Sequence, residues 1–466
     1  MFMDFKRIFN YIPEVTPPEE KKLAFNVKLK WTLIVLAAFF ILANVPLYAL
    51  SVNALERFKY LAIILGTDFG SIISLGIGPI VMASIILQLL TGAGIINIET
   101  NTVDGKKFFQ GLQKLLVLFF IIFEASVYVL MNGLQAVPGY TGLVIFQLIL
   151  GGLVIFYMNE LCEKWGFGSG VSLFIGAGVS WRLVTSALQF VDQQGANCLI
   201  DFANTPCSGK ILVLIQSLMQ KDTITFLSAL AVLVITALIF LLVVWTQSLK
   251  VEIPLSYGRI RGYGIKWPLS FFYANVIPVI LTAALIANLQ LFGGLLENWL
   301  GHATILGHFI DGQAVSGLSF WLGSTNILDL AIKGGLLPQY LLQGLVHTVA
   351  FTFLCTVFSI FWVKSSQMDA KSQASKIAAS GLQVAGFRQD IRILESILDR
   401  YVMPLTVMGG IAIGLLASFT NLLGALVSGT AILLVIMIMF QFYQSIAQQH
   451  MTDMNPAMRK FMSGGN

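Results

Sequence analysis

The sequence predicts an all-α integral membrane protein with ten transmembrane helices, and three observations carry that prediction. Of its 466 residues 57% are hydrophobic and only 11% charged, whereas a soluble chain keeps about 25% charged to wet its surface. Ten runs approach the length of about 20 apolar residues that a bilayer-crossing helix needs. The basic residues gather in alternate loops, as the positive-inside bias of membrane insertion requires.

In chain order, residues 1–30 precede any long apolar run. Asp4, Glu14, Glu19 and Glu20 stand among lysines here, with Pro13, Pro17 and Pro18. A cleavable signal peptide would instead place an apolar core directly after a basic start. The segment reads as a short amphipathic piece on the cytosolic membrane surface. The expected crossings are 31–50, 72–90, 115–131, 140–158, 170–190, 224–245, 269–292, 341–363, 403–419 and 422–442. With the N-terminus in the cytosol, 22 of the 28 lysines and arginines fall on the cytosolic side. Ten crossings then return the C-terminus to the same side.

Two features interrupt this pattern. Residues 58–65 are apolar but far too few to span, and Gly66, Gly70 and Gly76-Ile77-Gly78-Pro79 follow. Irregular backbone at membrane depth survives only where protein or a water-filled cavity surrounds it, so a re-entrant element beside a pore is expected. A surface loop helix followed by an ordinary kink fits the same residues. The second feature is a long outer stretch, 293–338, carrying His302, His308 and Asp311, whose spacing does not match a helical zinc pair.

The loop 250–268 holds Tyr257-Gly258-Arg259-Ile260-Arg261-Gly262-Tyr263-Gly264, with the look of a hairpin tip. The longer loop 364–400 holds Gly386-Phe387-Arg388. Both read either as basic fingers for an anionic partner or as plain positive-inside charge. Within the membrane Glu124 stands mid-way along the third crossing, with Ser84, Gln88, Asn288 and Gln290 at similar depth as partners for a helix-bridging hydrogen bond. Cys198 and Cys207 share an external loop, where a disulfide or two free thiols are both open. The glycines around Ser169 do not form a nucleophile elbow, and no P-loop or HExxH occurs. No enzyme activity and no cofactor is expected.

Several runs together resemble the archaeal branch of the SecY family. They begin with Ile12-Pro13-Glu14-Val15, Lys28-Leu29-Lys30-Trp31-Thr32, Leu75 through Val81, and Phe109-Gln110-Gly111. Gly168-Ser169-Gly170, Ile253-Pro254-Leu255, Gly258-Arg259-Ile260, Ile277 through Leu281 and Gly386-Phe387-Arg388 continue the series. Pro404-Leu405-Thr406-Val407 and Ser428-Gly429-Thr430 close it, in order and nearly end to end.

The resemblance implies a protein-conducting channel of two pseudo-symmetric five-helix halves, 31–193 and 224–443. An external loop 194–223 would join them, with cytosolic loops at 249–268 and 364–400 and a cytosolic tail at 444–466. It implies a pore ring of Ile77, Val81, Val171, Ile175, Ile280 and Leu434, and a plug at 55–71 that includes Phe58, Leu61, Ile64, Gly66 and Gly70. A lateral-gate polar cluster would hold Glu124 and Asn288, with Met82 where the family has a polar residue. Arg259, Arg261 and Arg388 would dock the ribosome. SecE-type and Secβ-type small subunits, signal sequences, nascent polypeptides and membrane lipid are the implied partners, in the cell membrane. The main rival is a secondary transporter, which also uses broken helices but needs mid-membrane charges for coupling, and this chain offers mainly Glu124.

Overall fold

The computed structural model describes residues 13–19, 23–55, 66–92, 94–96, 98, 102–191, 197–200, 202, 205–257, 264–310, 312–379, 382–384 and 391–454. Among these, nine helices are long and apolar enough to cross a bilayer. The first half holds α1 (Phe25–Ala43), α2 (Gly78–Gly92), α3 (Val103–Leu130), α4 (Thr141–Trp165) and α5 (Gly170–Leu188). The amphipathic α6 (Lys210–Gln220) leads into the second half, with α7 (Thr223–Gln247), α8 (Ile277–Leu300) and the short α9 (Leu318–Leu322) and α10 (Ile327–Ile332). Then come α11 (Pro338–Ser365), α12 (Ala370–Ala379), α13 (Ile391–Leu423) and α14 (Gly429–Met454).

Helix ends follow local chemistry more closely than hydropathy. Thr102 caps α3 by accepting from the Gly105 amide, so this helix starts well before the expected 115. Asp222 caps α7 in the same way, accepting from Ile224 and Thr225. The seventh crossing begins at Ile277 rather than 269, because 264–270 belong to a strand. The expected second crossing, 72–90, is helical only from Gly78. At 15 residues α2 spans about 22 Å, and 72–77 form turns ahead of it.

The two halves meet on two sides. Helix α2 packs against α8 and α11, and α14 packs against α1 and α5. Within the second half α11 and α13 make the closest pairing. A Cβ at Gly410 would lie 3.0 Å from Thr356 Cα, and one at Gly414 2.8 Å from Thr352 Cα. A glycine every fourth residue lets two backbones approach where lipid supplies no hydrophobic drive.

Among the described residues three small sheets cap the bundle. On one face β1 (Leu50–Asn53) pairs with β2 (Leu134–Ala136), and β5 (His308–Ile310) with β6 (Gln313–Ser316). On the opposite face β3 (Lys250–Tyr257) lies between β4 (Gly264–Ser270) and β7 (Leu382–Val384), all antiparallel. The loop expected at 364–400 is therefore mostly ordered structure. Leu394, Leu398, Val402 and Leu405 line one face of α13 and bury against Ala370, Ala374 and Ile377 of α12 and Ile253 of β3. Arg392, Glu395 and Asp399 occupy other positions of that turn-by-turn pattern, and their charge hid the helix from a hydropathy reading.

Cys198 and Cys207 are joined in a disulfide, Cα atoms 5.3 Å apart. The closed loop is pinned to α6, where Gln216 donates to the Phe202 and Thr205 carbonyls and accepts from the Cys207 amide.

Candidate functional site

Helix direction alternates along the chain, so the start of α3, the end of α4, the start of α5, the start of α8 and the end of α11 all lie at one face. A cavity of about 440 Å³ opens there. Its walls carry Ser84, Gln88, Gln110, Gln113, Asn159, Glu163, Ser169 and Ser172, and its apolar lining includes Ile80, Val81, Val171, Ile280 and Leu281. These polar groups come from α2, α3, α4 and the start of α5, whereas α8 contributes the apolar Ile280 and Leu281.

Three of the six expected ring residues, Val81, Val171 and Ile280, thus line one cavity. The other three, Ile77, Ile175 and Leu434, are fully buried in the same hydrophobic core, which also takes in Val81 and Ile280. Helices α5 and α14 meet at this level, a Cβ at Gly176 falling 3.4 Å from Ile438. All six are branched aliphatics, which close a passage to water by dewetting.

Of the expected plug, Phe58, Leu61 and Ile64 lie outside the described residues. Gly66 and Gly70 are described, both at positive φ of 55° and 101°, which glycine adopts without strain. Gly66 rests against Ile77 and Phe174, 3.7 Å from each by its would-be Cβ. From Gly66 to Ile77 the backbone is non-helical and mostly buried, and it satisfies itself locally. Thr67 Oγ1 donates to the Ile73 carbonyl at 2.7 Å, Ser71 Oγ to Asp68 at 2.7 Å, and the Gly70 amide to Ser74 Oγ at 2.9 Å. Asn53 ties the turn to the β1–β2 sheet by donating to the Phe69 carbonyl at 2.9 Å.

At the meeting of α2 and α3 with α8 and α11, Glu124 is completely buried and neither carboxylate oxygen has a hydrogen-bond partner. It packs on the start of α2, where a Cβ at Gly78 would lie 3.0 Å from Oε2. Asn288, also buried, donates to the Ala284 carbonyl of its own helix at 3.0 Å, leaving Oδ1 unpartnered. Met82 is half-buried against the same core. The expected helix-bridging bond of Glu124 is therefore absent. Ser84 donates to Ile80 and accepts from Gln113, Gln290 donates to Ser319, and Gln88 does not reach the carboxylate.

Arg259, Arg261 and Arg388 lie outside the described residues. Their flanks are described: β3 and β4 form the expected hairpin around 258–263, and β7 pairs with Leu255, Ser256 and Tyr257 at its end. One sheet therefore anchors both basic loops. On the outer stretch 293–338, His308 Nδ1 lies 2.5 Å from Glu297 Oε1, and the Phe309 amide donates to the other oxygen at 2.9 Å. Asp311 is outside the described residues, and among those described no group of three or more His, Cys, Asp or Glu could hold a metal.

One cluster escaped the sequence reading. Lys114 donates to Glu14 at 2.6 Å and to Glu160 at 2.7 Å, and Lys164 pairs with the same two carboxylates. The Val15 amide donates to Glu160, and Trp165 Nε1 to the Thr16 carbonyl. The segment 13–19 is strapped to Lys114 of α3 and to the end of α4. The Lys114 hydrogen bond holds the Glu14 carboxyl below its usual range, against the smaller opposing effect of burial. The signal available was the unusual density of Glu and Lys at the ends of two apolar helices.

The comparisons agree from end to end. The SecY family model matches residues 71–443. The chain is 40% identical to the protein translocase subunit SecY of Methanothermobacter thermautotrophicus, with 98% of each covered. It is 35% identical to that of Methanocaldococcus jannaschii, again over 98% of each. Its fold is similar to a solved protein-conducting channel at 35% identity and a TM-score of 0.81, covering 97% of this chain and 99% of that one. It is also similar to Sec61 in the canine ribosome–channel complex from the endoplasmic reticulum, at 34% identity, a TM-score of 0.77 and the same coverage. With the family model spanning most of its length and archaeal relatives matching nearly all of it, the chain belongs to the SecY family.

Proposed function

We infer that this chain is the pore-forming subunit of a Sec protein translocase, which passes unfolded secretory polypeptides across the membrane and releases apolar helices sideways into lipid. The observation that carries the reading is the polar-walled cavity that meets branched aliphatic residues of α2, α5 and α8. A polypeptide needs water and hydrogen-bonding groups on entry, then a constriction that yields to a side chain and still excludes ions. Ile77, Val81, Val171, Ile175, Ile280 and Leu434 are that constriction. The 55–71 segment, with Phe58, Leu61, Ile64, Gly66 and Gly70, is the plug.

The sideways exit lies between α2 and α3 on one side and α8 and α11 on the other, with Met82, Glu124 and Asn288 at its seam. An unpartnered buried carboxyl there favours opening, since water or a passing chain would relieve it. Arg259, Arg261 and Arg388, on loops anchored in one sheet, offer the cavity face to ribosomal RNA phosphates. That face is cytosolic, as are both termini, in keeping with the bias of basic residues. SecE-type and Secβ-type subunits complete the channel in the cell membrane.

The test is reconstitution of the channel with its small subunits in vesicles. A secretory polypeptide should become protease-protected inside, while small solutes are not accumulated. Solute uptake without polypeptide protection would replace the channel with a transporter.

A further inference from the structure

We infer that Glu163 and Gln88 form a receiving site for the basic start of a signal sequence, an inference that rests on the translocation reading above. Gln88 and Ser84 of α2 and Asn159 and Glu163 of α4 line the same cavity. Two of these groups are acceptors still open to a donor. Gln88 is only 4% exposed, and its Oε1 has no hydrogen-bond partner. Glu163 accepts one hydrogen bond, from Asn159 Nδ2 at 3.0 Å, and forms no ion pair among the described residues.

The neighbouring cations do not fill this role. Lys114 and Lys164 are both engaged by Glu14 and Glu160. Lys106, the one lysine among the described lining residues, is exposed and bonds to neither acceptor among the described residues. Beyond the one bond from Asn159, the cavity thus offers a carboxylate and an amide oxygen that no cation bonds among the described residues. An ammonium or guanidinium supplies only donors, and its hydrogen bonds to a carboxylate are charge-assisted.

Position fits the same ligand. Glu163 also lines a second, larger cavity of about 640 Å³ beside the first, whose other charged lining is Glu14, Asp104, Glu160, Lys107, Lys114 and Lys164, so a side chain can reach it from the open face. Gln88 stands on α2, the helix that packs against α8 and α11. A signal sequence begins with basic residues followed by an apolar run of about 7–15 residues. With its basic end held at Glu163 and Gln88, that run lies along α2 at the seam through which it leaves.

The test uses membrane vesicles carrying the full-length channel with its own partner subunits. Three reporters share one apolar signal core and begin with two lysines, no charge, or two glutamates. Glu163→Lys should lower transport of the lysine reporter about fivefold and raise that of the glutamate reporter, with the neutral reporter nearly unchanged. Glu163→Gln and Gln88→Leu should each lower only the lysine reporter, by a smaller factor. Carbodiimide should join the reporter's lysine to the wild-type channel, and Glu163→Gln should abolish that adduct. An adduct that survives Glu163→Gln, or variants that affect all three reporters alike, would overturn the site. Failure of every reporter to cross through the wild-type channel would instead remove the translocation reading beneath it.

Discussion

Helix α7 runs 25 residues and α8 runs 24, and both are uncharged apart from Glu297 near the end of α8. Their surroundings are opposite. In α8, 78% of the most apolar stretch is buried within the protein, against 17% in α7. Helix α7 turns Leu227, Val234, Leu238, Leu241 and Leu242 outward to lipid. From Pro278 to Leu296 helix α8 is buried except for a half-buried stripe of Leu285, Leu289, Phe292 and Leu296, and it sends Ile280 and Leu281 to the cavity at one end and Ile286 and Gln290 to a polar cavity at the other. Greasiness tells a helix which solvent it lives in but not which neighbours it has. The difference is written in the small and polar residues: Ala283, Ala284, Ala287, Asn288, Gln290, Gly293 and Gly294 all lie in α8 and are all buried.

The largest expected effect separates the two helices directly. Ala284→Leu forces extra volume into a site with no exposed surface and should cost about 2–3 kcal/mol. Leu238→Ala on the lipid face of α7 should cost about 0.5 kcal/mol or less. Thermal unfolding in detergent measures both, and equal losses would break the comparison. The next effect sharpens it from structure to seal. Ile280→Ser and Ile175→Ser should each raise resting ion leak in planar bilayers about tenfold, equivalent to about 1.4 kcal/mol off the barrier. Leu238→Ser should leave the leak unchanged.

Smaller still is the buried carboxyl at the seam. With no hydrogen bond to lose, Glu124→Met should be neutral or stabilise the resting channel by about 1 kcal/mol, read in the same unfolding assay. A loss of more than that would mean Glu124 is held by a partner. The smallest effect lies at the strap. The Glu14 carboxyl titrates below its ordinary 4.5 in the folded chain. Its contribution is therefore complete above the unfolded value and fades as pH falls through the depressed one. Trp165, whose indole donates to Thr16, should report strap release by fluorescence in that acid range. Glu14→Gln should remove the transition.

Much of the architecture was legible because bilayer insertion imposes strict rules on length and charge. The long apolar helices follow from them, nine among the described residues, and so does the interrupted segment before α2. What hydropathy concealed were structures that lie outside lipid. The first three turns of α13 mix Arg392, Glu395 and Asp399 with the buried Leu394 and Leu398, which reads as loop until α12 and β3 supply a surface to bury against. The 13–19 strap depends on ion pairs between residues about 100 to 150 positions apart, beyond any local pattern. At the candidate site, branched aliphatics such as Ile175 and Leu434 look like any other helix-packing residues. Only the family resemblance singled them out. Glu124 was conspicuous as a lone charge, but its want of a partner is a fact of three-dimensional packing.

The most direct measurement is a site-specific crosslink to a secretory chain stalled in transit. Single cysteines at Ile77, Ile175, Ile280 and, on the lipid face, Leu238 would each be paired with a cysteine in the stalled polypeptide. Adducts at the first three positions and none at Leu238 are the predicted result. A stalled chain that passes Ile77, Ile175 and Ile280 by, or that reaches Leu238 equally well, would contradict a path through the collar.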